Sequence, residues 1–448
     1  MSSDAGKTPS IFVSKTGNDT FDGRSPATAL LTINAGLTKA RSCEPSACVV
    51  LVAEGTYTEQ VVLFDGAQMR GGHNSDFSEQ NPAAWPSVLT STETRTLIGD
   101  DITRPTNIEG MTIRGADLSA TADGRSAYAI WFRNSANVRI ANTVIEGGMA
   151  APGADGDNGV VLTCDAPGGD GGSAYNCGSN GGGTGSAGSD PATAGGGGGG
   201  GSNNCPSACP LVGSDGISSG STGTPGGDGA PGVHGNIAAN KLGSFADGLW
   251  SGAAGESGTR GAHGTGGGGG GSGGSKKFAA CFGCGTLLGG RGGNGATGGC
   301  AGDGGGAGQP GGGSFGVVLV DTVLEVAQVS ITAGDGGKGG NGGEGHAGAP
   351  GGNDGSVGRV GGGSQRCGLI DYNSGSGAHG GAGGNGGNGG GGAGGVGGVS
   401  IGVVLVGEAT LDSQEASTIA QGRPGAGGDG GGAAGNGFEG LAAPQQNY

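Results

Sequence analysis

The sequence predicts an all-β chain, in which a coiled ladder of short strands is interrupted by long glycine-rich excursions that carry a structure of their own. Three observations lead there: short β-rich runs crowd residues 11–148, a strand pair from that region recurs twice further on, and the glycine-rich stretches keep a three-residue period. A repeat of this kind is expected of stacked units that bury a continuous core only against their neighbours.

Residues 1–10, "MSSDAGKTPS", read as a disordered leader without the features of a signal peptide. "IFVSKTG" is a first short strand. "ALLTINAGLTKA" carries Leu30, Ile33 and Leu37 at helical spacing, and "CVVLVAEGTYTEQVVLF" gives two strands around Gly55. "RTLIG", "IEGMTIRGA", "YAIWFRN" and "NVRIANTVIEGG" follow in short turns of chain. From Ile98 through Ile113 and Ile130 to Ile145 the spacing is short and irregular, as in a coiled ladder.

In this stretch Ile11 to Val13, Asp22, Gly23, Ser25, Pro26, Thr32, Ile33, Gly55, Thr56, Tyr57 and Glu59 stand in the pattern "YVSxxGxDxxDGxSPxxPxxTIxxA" followed by "VxVAxGTYxExVxLxxGVxLxGG". Over about the first 150 residues the chain thus resembles the opening of secreted right-handed parallel β-helices of the pectin-lyase-like superfamily. The resemblance implies a right-handed single-stranded parallel β-helix, with the cap and first coils at 11–148. It implies fold more than activity, since many such proteins are surface or structural modules.

Past Gly147 the composition changes abruptly. "SAYAIWFRNSANVRIANTVIEGG" (126–148) returns as "SFGVVLVDTVLEVAQVSITAGDGG" (314–337) and as "SIGVVLVGEATLDSQEASTIAQGRPG" (400–425). Each begins with Ser, runs through two strands and a polar corner, and then departs into glycine. Coils are therefore expected at 314–333 and 400–421, with glycine-rich insertions at 149–313 and 334–399 and a glycine-rich tail at 422–448. All three excursions then leave one corner of the ladder side by side.

In "GDGGKGGNGGEG" the larger residues are Asp335, Lys338, Asn341 and Glu344, three apart. The same period places Arg291, Asn294, Thr297, Cys300, Asp303 and Gln309, and again His379, Ala382, Asn385 and Asn388. Three residues per turn is the period of polyproline II, which has no internal hydrogen bonds. Packed side by side, such helices satisfy N–H and C=O laterally, and glycine at two of three positions lets two sides close on neighbours. The insertions are accordingly expected to form a polyglycine II bundle, similar to those of some phage adhesins and antifreeze proteins.

Composition narrows the function. With 37 acidic against 21 basic side chains the net charge is −16, which argues against nucleic acid and anionic membranes as partners. No apolar run is long enough to span a bilayer. Ten cysteines, Cys43, Cys48, Cys164, Cys177, Cys205, Cys209, Cys281, Cys284, Cys300 and Cys367, point to disulfides and an extracellular or cell-surface location, any targeting segment lying outside this sequence. Cys43/Cys48, Cys164/Cys177 and Cys205/Cys209 are local pairs, Cys300 to Cys367 would staple two excursions, and connectivity stays open. Cys205, Cys209, Cys281 and Cys284 as four metal-binding thiolates are the rival reading. Neither a metal nor a cofactor is expected, and His73, His234, His263, His346 and His379 stand singly.

Were the chain an enzyme acting on acidic polysaccharide, Asp100, Asp101, Arg104, Arg133 and Arg139 would be its catalytic candidates. As binding residues Phe245, Leu249, Trp250, Phe278 and Phe282 stand out, either as a plug packed on the strands or as an exposed tip. The reading favoured is a non-enzymatic structural or adhesive protein, forming a homo-oligomer, filament or surface layer, or contacting a cell-surface glycan or protein. A carbohydrate-active lyase or hydrolase is the main alternative and ice binding the weaker one.

Overall fold

A computed structural model describes residues 9–43, 48–164, 166–173, 219–237, 242–280, 283–359, 364–367, 370–414 and 416–448. The early strands are β1 (Ser10–Val13), β2 (Val49–Ala53), β3 (Gly55–Thr58), β4 (Val61–Val62), β5 (Gln68–His73) and β6 (Ser87–Thr90). Next come β7 (Arg95–Asp100), β8 (Thr106–Glu109), β9 (Met111–Arg114), β10 (Ala127–Arg133), β11 (Val138–Ala141) and β12 (Val144–Glu146). Among its described residues the long insertion holds two hairpins, β13 (Gly243–Ala246) with β14 (Leu249–Gly252) and β15 (Lys276–Ala280) with β16 (Gly283–Leu287). After β17 (Ser314–Val320), β18 (Val323–Ala327) and β19 (Ser330–Thr332) comes the hairpin β20 (Ser364–Cys367) with β21 (Ile370–Asn373). The chain ends through β22 (Ser400–Val406), β23 (Thr410–Gln414), β24 (Thr418–Ala420) and β25 (Ala442–Asn447).

The strands outside the hairpins build three parallel sheets. Sheet 1 has the order β1-β2-β5-β8-β11-β18-β23, sheet 2 β25-β22-β17-β10-β7-β4, and sheet 3 β24-β19-β12-β9-β6-β3. From β7 onward each circuit visits sheets 2, 1 and 3 in turn, so the triplets β10–β12, β17–β19 and β22–β24 are the three repeats read from the sequence. Ile130, Val317 and Val403 are in register on sheet 2, and Ile145, Ile331 and Ile419 on sheet 3. Inward-facing members of these rows form one continuous apolar core, from Ile11 through Leu97, Phe132, Ile140 and Leu324 to Val403.

Corners between strands are single residues of left-handed backbone. Asp101, Asn134, Asp321 and Gly407 stack between sheets 2 and 1, and Gly110, Asn142 and Gln328 between sheets 1 and 3. Asn and Asp tolerate this conformation best after glycine. The first end of the stack is covered by helix α1 (Ile33–Arg41), which buries Ile33, Leu37 and Ala40. Thr32 caps it through Ala35 N–H, and the Glu59 carboxylate accepts from the Ile33 and Asn34 amides at 2.9 Å, where the helix dipole favours an anion.

The glycine-rich stretches leave after β12, β19 and β24, all on sheet 3, and re-enter at β17, β22 and β25, all on sheet 2. They form extended rods a (147–160), b (166–172), c (220–235), d (256–275), e (289–313), f (334–359), g (375–399), h (422–431) and i (435–441). The rods bond to one another at every third residue. Rod f accepts from rod a through Gly153 N–H to Lys338 O and Gly156 N–H to Asn341 O, and donates to rod e from Gly337, Gly340 and Gly343. Rod g exchanges bonds with six rods, c, d, e, f, h and i.

Four sequence expectations need correction. Cys164 pairs with Cys300, not with Cys177, because rods a and e run antiparallel and the Leu162 N–H bond to Ala301 O brings the two cysteines opposite each other. Cys300 is thereby unavailable to Cys367. The tail is not all glycine-rich, since β25 pairs in parallel with β22. The first strand begins before residue 11, Ser10 already pairing with Val49. Cys43 does pair with Cys48. Cys177, Cys205, Cys209, Cys281 and the side chains of Cys284 and Cys367 lie outside the described residues, so the four-thiolate reading does too.

Candidate binding groove

The polar residues singled out from the sequence fall at three separate places. Arg133 reaches Asp100 with two hydrogen bonds, Nε to Oδ1 at 3.0 Å and Nη2 to Oδ2 at 2.6 Å, the two residues being register partners on sheet 2. That fork holds the Asp100 carboxyl below its ordinary value. Asp101 is a corner residue at φ 52° and accepts from Asn134. Arg104 pairs with Asp65, and Arg139 with its register partner Glu325 on sheet 1. Each arginine of the set therefore binds a carboxylate of the neighbouring circuit, an arrangement that supports the stacking of strands.

The aromatic candidates belong to a second apolar layer. Residues Ala246 to Leu249 form a two-residue turn with Asp247 and Gly248 both at positive φ, 50° and 71°, the geometry that an Asp-Gly pair favours in hairpins. This turn presses the β13–β14 hairpin onto the outer face of sheet 2. Trp131 donates from Nε1 to Gly248 O at 3.0 Å, and Trp250 N–H donates to the Tyr128 hydroxyl at 2.8 Å. Trp250 is only 8% exposed, among Phe245, Phe315 and Tyr448. The exposed-tip role for Trp250 is thus replaced by that of a plug. The middle strands of sheet 2, β10, β17 and β22, are consequently buried on both faces, and they read as nearly unbroken apolar runs. Leu249 is exposed, while Phe282 and the side chain of Phe278 lie outside the described residues.

The concavity that sequence reasoning missed runs along the outer face of sheet 3. One hollow of about 520 Å³ is lined by Thr112, Val144, Ser330, Asn142 and Gln328, with Gln80 to Ala83 as its wall. A second of about 500 Å³ shares Val144 and Ser330 and continues through Arg114, Asp117, Glu146 and Thr332 to Gly147 and Ala333, where the rods depart. The wall is held by Asn81 N–H on Gly72 O at 2.7 Å and by the Gln80 side-chain amide on Gly71 O at 3.1 Å. Glu146 binds Arg114 and Glu109 binds Arg70. Asp117 is held below its ordinary value by the Ser119 hydroxyl. The groove thus offers hydroxyls, amides and paired charges along a straight path. The signal for it was the outward alternation of Thr112, Ser330, Thr332 and Thr418 against inward Ile113, Ile331 and Ile419.

Among the described residues no group of three or more His, Cys, Asp or Glu is placed to hold a metal ion, and no helix is long and apolar enough to cross a membrane. No family model, curated protein or solved structure matches the chain.

Proposed function

We propose that the chain is a non-enzymatic extracellular or cell-surface structural and adhesive protein. In this reading the three sheets are the faces of a right-handed single-stranded parallel β-helix, and the rods are polyglycine II helices packed against it. The groove on sheet 3 would take an extended polar polymer, with a glycan as the partner class that matches its hydroxyl and amide lining. One observation carries the proposal: the charged side chains of the sheets bind each other across circuits, and the rod amides bind neighbouring rods. What is left for a partner is a rigid surface and a long groove. Disulfides and the lack of a membrane-spanning helix among the described residues fit that location.

A glycan array read with the intact protein and with Ser330→Arg tests this. Binding that the outward-facing arginine abolishes, at unchanged thermal midpoint, is the expected outcome. Release of reducing or unsaturated ends from an acidic polysaccharide, lost in Glu146→Gln, would replace the adhesive reading with the lyase or hydrolase one.

A further inference from the structure

Rods e and f lie antiparallel, and two backbone bonds set their register at the far end: Ser356 N–H to Asn294 O at 2.7 Å and Arg359 N–H to Arg291 O at 2.8 Å. Arg291 therefore stands opposite Arg359, and Asn294 opposite Ser356, whose hydroxyl oxygen accepts from the Asn294 amide at 2.6 Å. Between them is a small hollow of about 220 Å³, lined by Arg291, Asn294, Ser356, Val357 and Arg359 over the backbone of Gly292 and Gly293. Like charges directly opposite on paired chains repel.

The other two arginines of the rods contrast with this pair. Arg260 is set beside Asp303, and Arg423 beside Asp335. Arg291 and Arg359 have no carboxylate within ion-pair distance among the described residues, in a chain where acids outnumber bases 37 to 21. The floor adds no donors of its own, since the amides of Gly292 and Gly293 already donate to Gly172 O and Ala378 O, so the two arginines supply the charge of the notch. Two arginines lining one notch suit an oxyanion, which can accept from both guanidinium forks and removes the repulsion. A net charge of −16 repels polyanions, so the ligand presents one oxyanion group rather than a chain of them.

We propose that Arg291 and Arg359 form a binding cleft for a single oxyanion, a carboxylate or sulfate group carried by a molecule from outside the chain. The cleft lies on the rods and is independent of the groove reading.

The test uses the full chain with 15N-labelled arginine, titrated with sodium sulfate, sodium acetate and, as the reference, sodium chloride at matched ionic strength. Saturable shifts of the Arg291 and Arg359 Nε–H signals are expected with sulfate or acetate, with Arg260 and Arg423 as paired internal controls. Arg291→Ala and Arg359→Ala should each weaken the interaction at the remaining site by about tenfold, the loss of one charge-assisted contact. The ion giving the tighter curve identifies the group. Linear shifts equal to those in chloride would overturn the proposal. So would concentration-dependent dimerisation without added ion that either variant abolishes, because a second copy would then supply the carboxylate.

Discussion

At the scale of single residues, the three-residue period acquires a physical meaning on rod f. A Cβ at Gly336, Gly339 or Gly342 would strike a carbonyl of rod g, and one at Gly337, Gly340 or Gly343 a carbonyl of rod a. Of the remaining positions, Lys338 and Glu344 are exposed and Asp335 and Asn341 half-buried. Gly337→Val or Gly340→Val should therefore cost about 1–3 kcal/mol or more by overpacking, against less than about 0.5 kcal/mol for Lys338→Ala. Thermal midpoints compare them, and equal midpoints for the three would refute the two-sided contact. The third position is more than a solvated ornament where it is Asn or Asp. Asp155 accepts from Asn341 N–H at 2.6 Å, and Asn341 in turn accepts from Asp429 N–H at 3.1 Å, linking rods a, f and h through amides that no carbonyl reaches. Asn341→Ala should cost about 1 kcal/mol, which Lys338→Ala does not. On the sheets, the Asp65 carboxyl is drawn down to about 2, first by the Arg104 backbone amide and then by Thr103. A lowered value stabilises the fold above the ordinary value of 3.8 and loses that contribution as pH falls toward about 2. Asp65→Asn should accordingly lower the urea midpoint at neutral pH and become indistinguishable from the parent near pH 2.

At the scale of elements, what the sequence showed and what it hid have separate causes. The strand triplets were legible because each opens on an apolar run and then alternates inward Val, Leu and Ile with outward Thr, Ser and Arg at a spacing that local chain geometry sets. The corners were legible in part: Asn134 and Asn142 advertise left-handed backbone, whereas Gln328 does not. Strand β25 was hidden because "LAAPQQN" lacks β-branched residues and carries Pro444, which only an edge strand accommodates readily. The Asp247-Gly248 turn was present in the text, and the burial of Trp250 follows from where that hairpin lands, 117 residues from its Trp131 contact. The groove needs three circuits side by side before it exists, so no single motif could have announced it. Long-range pairing of Cys164 with Cys300, 136 residues apart, likewise depends on rod packing. In the chain-entropy account a loop of that size stabilises by about 4–5 kcal/mol. The double variant Cys164→Ser with Cys300→Ser should lose stability of that order, while Cys43→Ser with Cys48→Ser, closing a far shorter loop, should lose less. Urea unfolding of both double variants checks the order, and a larger loss at the short loop would contradict it.

At the scale of the whole molecule, two kinds of order share one chain and meet along sheets 2 and 3. The sheets bury side chains, and the rods bury backbone. Burial of backbone alone has a consequence for sequence: where a rod is enclosed, the third position narrows to glycine, a small apolar residue or a small hydroxyl such as Thr265 or Ser272. Residues 264–275 and 390–399 are buried throughout, and there the pattern becomes "TGGGGGGS" at 265–272 and "GGGG" followed by Ala393 and Val396. Glycine in a long run normally signals a chain too poor in side chains to fold. Here the run marks the interior of a lattice whose cohesion is lateral hydrogen bonding, each bond adding only about 1 kcal/mol net, so stability has to rise with the number of neighbouring rods. Amide exchange tests this on one molecule. Rod g, bonded to six neighbours around Asn388 to Gly397, should hold the slowest-exchanging glycines, comparable to Val403 and Leu405 in β22. Rods h and i, which end the lattice, should exchange faster at Gly428, Gly437 and Gly440 although their amides are bonded at the same distances of 2.8 to 2.9 Å. Local bond geometry would predict equal protection for all of these glycines. A graded profile that follows the number of bonded neighbours would locate the stability of the rods in their packing.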